Sequence, residues 1–397
     1  MDWKRIPKTY DYLLALAVIA LGVFGVLMVY ASVHADFSLA LPRIVRDFGG
    51  LWRQQRLYVI TGTILMIAVS MVDYRYIMRF YLYIYGAMIF FLIVALVFFN
   101  PEVATARSVW IPIPFLGVLS MQPSEFSKIF MMVFLAKFLS LNRERFNKPL
   151  WLGLVLILVA LPVALVVMQP SLSASLVVLC IALVIIFAAG LYWRTILIGG
   201  AILAPVAVVV AIDLHRTSPI FVTRFLQDFQ WRRIETFIRP QYASEDALRQ
   251  TTESLYAIGT GGLTGRGFLQ NPYVALGHND FIFSVTASQY GFVGATILLG
   301  IVAFVIARCV LIALKSADAE GRFFAAGVAG MILFETFFHV GVATAILPNT
   351  GMPFPFMSSG GSMVWVHMIA IGIVLNIGLP RKPKSIFDEP ESTSENP

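Results

Sequence analysis

About ten stretches of roughly 18–25 predominantly apolar residues, the length that crosses a bilayer, recur along this chain. They lie near 12–33, 57–73, 81–99, 124–141, 151–168, 173–190, 195–212, 281–307, 323–347 and 362–379. Lipid offers no hydrogen bonds, so such stretches must satisfy their backbone groups internally, as helices do. The pattern predicts an all-α polytopic membrane protein. Composition agrees: 59% of the 397 residues are hydrophobic and 13% charged, against about 45–50% and about 25% in a soluble domain. No polar stretch is long enough to bury a core of its own, so residues 1–380 are read as one membrane domain. The first apolar run lacks a small-residue cleavage site and is read as a span, not a removable signal. Cys180 and Cys309 lie in or at the end of apolar runs far apart in sequence, and are read as membrane-core residues without a disulfide.

The net charge of +7 could suggest a nucleic-acid partner, but the basic residues sit at the ends of the apolar runs, where topology explains them. With the N-terminus inside, one side carries Lys4, Arg5, Lys8, Arg75, Arg79, Lys137, Arg143, Arg145, Lys148, Arg194, Arg308, Lys315, Arg322, Arg381, Lys382 and Lys384. The short loops of the other side carry only Arg43, Arg46, Arg53, Arg56 and Arg107. This bias follows the positive-inside rule and predicts that both termini face the cytoplasm. Residues 381–397 read as a charged, proline-rich, disordered cytoplasmic tail. Between spans seven and eight, residues 213–280 form an outer loop far longer than a hairpin needs. Within it, Ile220 to Ile238 interleaves Phe221, Phe225, Phe229, Trp231 and Phe237 with Arg224, Arg232 and Arg233. That pattern suits a helix lying in the membrane interface, or a loop packed on the end of the bundle.

Four polar groups on the outer side interrupt this apolar background, and ionisable residues at membrane depth are functional candidates by default. Gln122-Pro123-Ser124-Glu125-Phe126-Ser127-Lys128 opens the fourth span. Glu125 and Lys128 are three apart, so they share a helix face, either as a structural ion pair or as the polar floor of an outward cavity. Ala257 to Gly267, dense in glycine and containing Arg266, could bring backbone N–H groups to a phosphate or be a flexible loop. His278-Asn279-Asp280 stands at the mouth of the eighth span, where the aspartate can cap the helix or act as a general base. Leu347 to Pro353, with Asn349 and Thr350, runs on through Ser358 to Ser362 as a proline- and glycine-broken segment, the signature of a re-entrant stretch beside a wet cavity.

In this order and on this topology the four groups resemble the SEDS family (shape, elongation, division and sporulation; RodA/FtsW-like peptidoglycan polymerases). Its Gln-Pro-Ser-Glu stands at Gln122 to Glu125. Its Ala-Ile-Gly-Ser-Gly-Gly and Gly-Lys-Gly stand at Ala257 to Gly262 and Gly265 to Gly267, its His-Thr-Asp-Phe-Ile-Phe at His278 to Phe283, and its Leu-Pro-x-Thr-Gly-x-Pro-x-Pro-Phe at Leu347 to Phe356. Trp110 matches a family tryptophan. The resemblance implies a peptidoglycan glycosyltransferase of the bacterial inner membrane. Such an enzyme polymerises lipid II, a disaccharide-pentapeptide on an undecaprenyl pyrophosphate carrier, with a class B penicillin-binding protein as partner. It implies Asp280 as catalytic base and Arg266, Lys128 and Arg224 or Arg107 facing the pyrophosphate. Gln122, Ser124, Glu125, Trp110, His278, Asn349, Thr350 and Ser358 would complete the substrate site, and a divalent cation could share the charge. The chain departs from the family where it carries Ser171 for an aspartate, Ala275-Leu276 for Pro-Glu and Ser288-Gln289 for Glu-Glu. A divergent active polymerase and a non-catalytic scaffold both fit those losses. A lipid II flippase is the alternative from another class, favoured most by Glu335 and His339, four apart in the ninth span.

Overall fold

The computed structural model describes residues 10–34, 50–97, 111–112, 120–169, 171–215, 228–243, 245–270 and 272–380. Arg107, Trp110, Arg224 and the tail 381–397 lie outside the described residues. Each expected apolar run coincides with a helix: α1 Tyr12–His34, α2 Leu51–Met71, α4 Tyr81–Val97, α5 Pro123–Leu141, α6 Pro149–Met168, α7 Leu172–Ala188, α8 Trp193–His215, α11 Ile282–Lys315, α12 Ala319–Ala343 and α13 Gly361–Ile377. A short α3 (Tyr74–Arg79) precedes α4, and α9 (Asp228–Ile238) and α10 (Glu245–Gly261) stand between α8 and α11. The only strands among the described residues are two-residue ones, β1 Ile111–Pro112 and β2 Ser120–Met121, paired antiparallel just before α5. The helices α1, α6, α11 and α12 are each long and apolar enough to cross a membrane. The expected all-α polytopic fold is what the chain adopts.

α13 sits at the centre, buried along almost its whole length from Gly361 to Ile377. A helix apolar on every face belongs inside a bundle or a membrane. It packs on α2, α5 and α12. α5 and α12 are also largely buried and carry the polar side chains of the interior. α2 begins earlier than its apolar run suggests. Arg53 and Arg56, expected in an outer loop, lie in its first turns, exposed and stacked over Trp52 at 5.6 and 5.3 Å. Their apolar stems let a charged turn continue an apolar helix. Between them Gln55 is fully buried.

α11 is broken at Gly291, whose φ of 64° is left-handed. In an unbroken helix the N–H groups of Phe292 and Val293 would bond to the carbonyls of Ser288 and Gln289. Here they bond instead to Gly262 and Leu263 (2.9 and 3.1 Å), while the freed carbonyls of Ser288 and Gln289 accept from the N–H groups of Arg266 and Gly267 (both 3.0 Å). Two helical bonds are exchanged for four between helix and loop. The contact is close enough that a Cβ at Gly265 would lie 2.1 Å from the Gln289 carbonyl oxygen. The glycine-rich run, expected as a phosphate cradle or a flexible loop, is the last turn of α10 and the seam that repairs the break in α11.

Candidate functional site

The start of α11 places Asp280. Leu276 adopts a left-handed φ of 57°, turning the chain so that the N–H groups of Asn279 and Phe281 bond back to its carbonyl. This conformation costs a side-chain-bearing residue about 1–2 kcal/mol, so the turn must be held from outside. The 344–360 segment between α12 and α13 holds it. The Ser358 hydroxyl donates to the Asn279 carbonyl (2.7 Å) and accepts from the Phe354 N–H (2.8 Å), and the Ser359 N–H bonds to the His278 carbonyl (2.9 Å). The Gln55 amide donates to the Ser358 carbonyl at 3.1 Å. The segment is non-helical and much of it is buried, with Phe354, Phe356, Met357 and Ser358 all at 0% exposure, as expected of a re-entrant stretch. From α10, Glu253 accepts the Ala275 N–H at 2.8 Å, so a carboxylate from another element reaches the turn where the family's Pro-Glu is missing.

Asp280 is 6% exposed, and its carboxylate faces the Leu347-Pro348-Asn349-Thr350-Gly351 turn. Asn349 shapes that turn, accepting the Gly351 N–H at 3.1 Å and donating to Gln250 of α10 at 3.1 Å. Gly351 has a φ of 69°, and a Cβ there would lie 3.2 Å from both Asp280 Oδ2 and Arg233 Nη1. The carboxylate and the guanidinium therefore lie within twice that distance of one another, over a glycine that leaves them room. Arg233 comes from α9. The signal for it was the aromatic and arginine pattern of 220–238, but the sequence offered Arg224 as readily. Two polar atoms close on this point are buried without a partner, Arg233 Nη2 and Thr350 Oγ1. An unmet buried donor or acceptor costs about 1–3 kcal/mol, so among the described residues this corner has room for a further polar partner. His278, two residues before Asp280, is half-buried, and its partial desolvation lowers its pKa to about 4.

The remaining candidates divide in two. Arg266 is exposed at the seam beside Ser288, roughly 10 Å further along α11 than Asp280, so the structure does not gather it with the carboxylate. Gln122, Ser124, Glu125 and Lys128 belong to a buried network. The Gln122 N–H bonds to Ser362 Oγ (2.8 Å) and its side chain to Ser124 (3.0 Å). Lys128 Nζ is 2.8 Å from both Glu125 and Glu335, and Glu335 is 2.5 Å from His367 Nε2. His367 Nδ1 meets the Met363 carbonyl at 2.8 Å. Both ring nitrogens face acceptors, so a proton must sit between His367 and Glu335. Glu335 and His339 are not a pair. His339, one turn on, bonds to the Met352 carbonyl (2.8 Å) and accepts the Phe283 N–H (3.4 Å), placing it under the re-entrant segment.

Among the described residues no group of three or more His, Cys, Asp or Glu could hold a metal ion. The charged group brought to Asp280 at Gly351 is the Arg233 guanidinium, so the described residues offer no second carboxylate for a divalent cation there.

Residues 11–382 match the model of the cell cycle protein family of FtsW, RodA and SpoVE. The chain belongs to this family. It is 28% identical over 374 residues, 93% of each chain, to the probable peptidoglycan glycosyltransferase FtsW of Trichlorobacter lovleyi. It is 29% identical over 386 residues, 96% of each chain, to the peptidoglycan glycosyltransferase MrdB of Escherichia coli K12. Among solved structures it resembles a chain of a peptidoglycan synthase complex that coordinates polymerization and crosslinking, with a TM-score of 0.73 and 27% identity over 93% of this chain and 97% of that one. The family assignment makes the chain a multi-pass membrane protein and accounts for all four motif groups lying in register.

Proposed function

We propose that this SEDS-family protein is a peptidoglycan glycosyltransferase that polymerises lipid II at the Asp280 end of the bundle. The observation that carries the reading is the buried Asp280 carboxylate set opposite Arg233 across Gly351, with Thr350 Oγ1 and Arg233 Nη2 unpartnered beside it. Glycosyl transfer needs a base for the incoming sugar hydroxyl and fixed positive charge for the departing pyrophosphate. Asp280 takes the hydroxyl proton as the oxygen attacks the anomeric carbon. The bond from that carbon to the pyrophosphate oxygen breaks, and the lipid pyrophosphate leaves against Arg233. A preorganised guanidinium stabilises that charge without reorganising at the moment of reaction. Arg107 and Arg224 are assigned to the rest of the diphosphate and Thr350 to a substrate oxygen, while Arg266 is left for a more distant part of the substrate. The protein works in the bacterial inner membrane with both termini cytoplasmic. A class B penicillin-binding protein cross-links its product, a pairing supported by the kind of complex its structural relative belongs to.

The test is polymerisation of labelled lipid II by purified protein, alone and with its penicillin-binding partner, comparing wild type with Asp280→Asn. Glycan strands from wild type and none from a variant that folds and still binds its partner support the enzyme and its base. No product from wild type, with the partner and divalent cations supplied, leaves a scaffold. Lipid II moved across vesicles without polymerisation would instead make it a flippase.

A further inference from the structure

The outer faces of α1 and α11 leave an open trough at the end of the bundle away from Asp280. Its upper chamber, of about 490 Å³, is apolar and lined by Leu16, Ala17 and Ala20 of α1 and Ile297, Gly300 and Phe304 of α11. Gly300 is not there to let helices touch, because a Cβ at that position would meet nothing within 4 Å. It leaves space. The lower chamber, of about 570 Å³, continues down the same two helices past Leu13, which borders both, and its walls include Tyr10, Asp11, Tyr12, Arg308 and Lys315. Asp11 is fully used. One oxygen caps α1 through the Leu14 N–H (3.1 Å), and the other accepts from Arg308 Nε (2.8 Å) and Nη2 (2.6 Å). That ion pair engages two of the guanidinium nitrogens and leaves Nη1 outside it. Lys315 is exposed. Two cations face one carboxylate, so the mouth keeps a surplus positive charge.

The dimensions select the occupant. From Ile297 to Arg308 the helix rises roughly 16 Å, about the depth of one leaflet of a hydrocarbon core about 30 Å thick. The residues that line the trough cover that depth. A spanning helix from a partner needs a groove across the whole bilayer, whereas a lipid needs one leaflet of apolar wall ending in a polar mouth. Tyr10 and Tyr12 stand at that mouth, the depth at which aromatic residues with a polar tip settle, and Tyr10 is fixed by its hydroxyl bond to Ser70 at 3.1 Å. We infer that the α1–α11 trough seats one anionic phospholipid of the leaflet opposite Asp280, an acyl chain lying over Gly300 and its phosphate against Arg308 and Lys315. The site is separate from the polymerase site, which lies at the other end of α11.

Native mass spectrometry of the full chain, released from bilayers of equal dioleoyl phosphatidylglycerol and dioleoyl phosphatidylcholine, tests this. Wild type should retain one phosphatidylglycerol in preference to phosphatidylcholine. A juxtamembrane cation contributes about fivefold to anionic-lipid affinity, so Lys315→Gln should lower that preference about fivefold. Gly300→Leu, which fills the upper chamber, should lower retention of both lipids while leaving the thermal unfolding midpoint in phosphatidylcholine unchanged. Equal retention of the two lipids by wild type would overturn the proposal. So would full retention in both variants, or a protein segment cross-linked into the trough from a cysteine at Ile301.

Discussion

Two polar regions lie in this apolar bundle, and they are built to opposite specifications. The Glu125–Lys128–Glu335–His367 network spans α5, α12 and α13, sets two carboxylates beside Lys128 and His367, and none of its polar atoms is among the buried atoms without a partner. The Asp280 corner is assembled from a strained turn, the 344–360 segment and α9, and among the described residues it leaves Thr350 Oγ1 and Arg233 Nη2 unmet. Burying charge is tolerable when geometry completes every bond. A region that completes them is holding helices together. One that leaves them open among the described residues has capacity for a further polar partner.

The contrast can be broken most severely at Lys128. Lys128→Met should strand Glu335 and Glu125 and cost about 3–5 kcal/mol, read as a fall in the thermal unfolding midpoint in detergent. The double variant Lys128→Met, Glu335→Leu should recover part of that loss. At the other region, Arg233→Gln should lower the rate of lipid II polymerisation by about 10²- to 10³-fold and barely move the unfolding midpoint. A midpoint shift as large as that of Lys128→Met would erase the distinction between the regions. Gly351→Ala introduces a Cβ at a φ of 69° and 3.2 Å from both charged groups. It should cost about 1–2 kcal/mol of backbone strain together with a measurable loss of polymerisation. The smallest effect is on pH dependence. Burial holds the His278 imidazole to a pKa of about 4, below its unfolded value, so its contribution to stability is present above about pH 6.5. It is lost as pH falls towards 4, by at most about 1.4 kcal/mol per pH unit. Chemical denaturation between pH 7 and 4 should show this slope, and His278→Gln should flatten it.

The helices were legible because lipid allows so few structures. A run of apolar residues long enough to span becomes a helix, and every such run did. Asp280, the Asn349–Gly351 turn and the Glu125–Lys128 pair were legible because each is local, fixed by residues within a turn of one another. Glu335 and Lys128 are 207 residues apart, and no periodicity tells which face of α12 meets which face of α5. The same blindness hid the partners of Glu335, which stand on other helices and not at His339, its neighbour along the helix. Arg233 was visible as one arginine among several, and its meeting with Asp280 depends on how α9 folds back over the bundle. The glycines of 257–267 correctly signalled close backbone approach, but the approaching backbone is the chain's own.

The exchange of hydrogen bonds at Gly291 bears on how the protein is made. Neither partner in that seam can be complete alone. In the kinked geometry without the 262–267 stretch, the carbonyls of Ser288 and Gln289 and the N–H groups of Phe292 and Val293 would be unpaired, each at a cost of several kcal/mol away from water. The kink at Gly291 and the turn after α10 that closes it therefore form together: without that turn, α11 keeps its backbone bonds only by straightening.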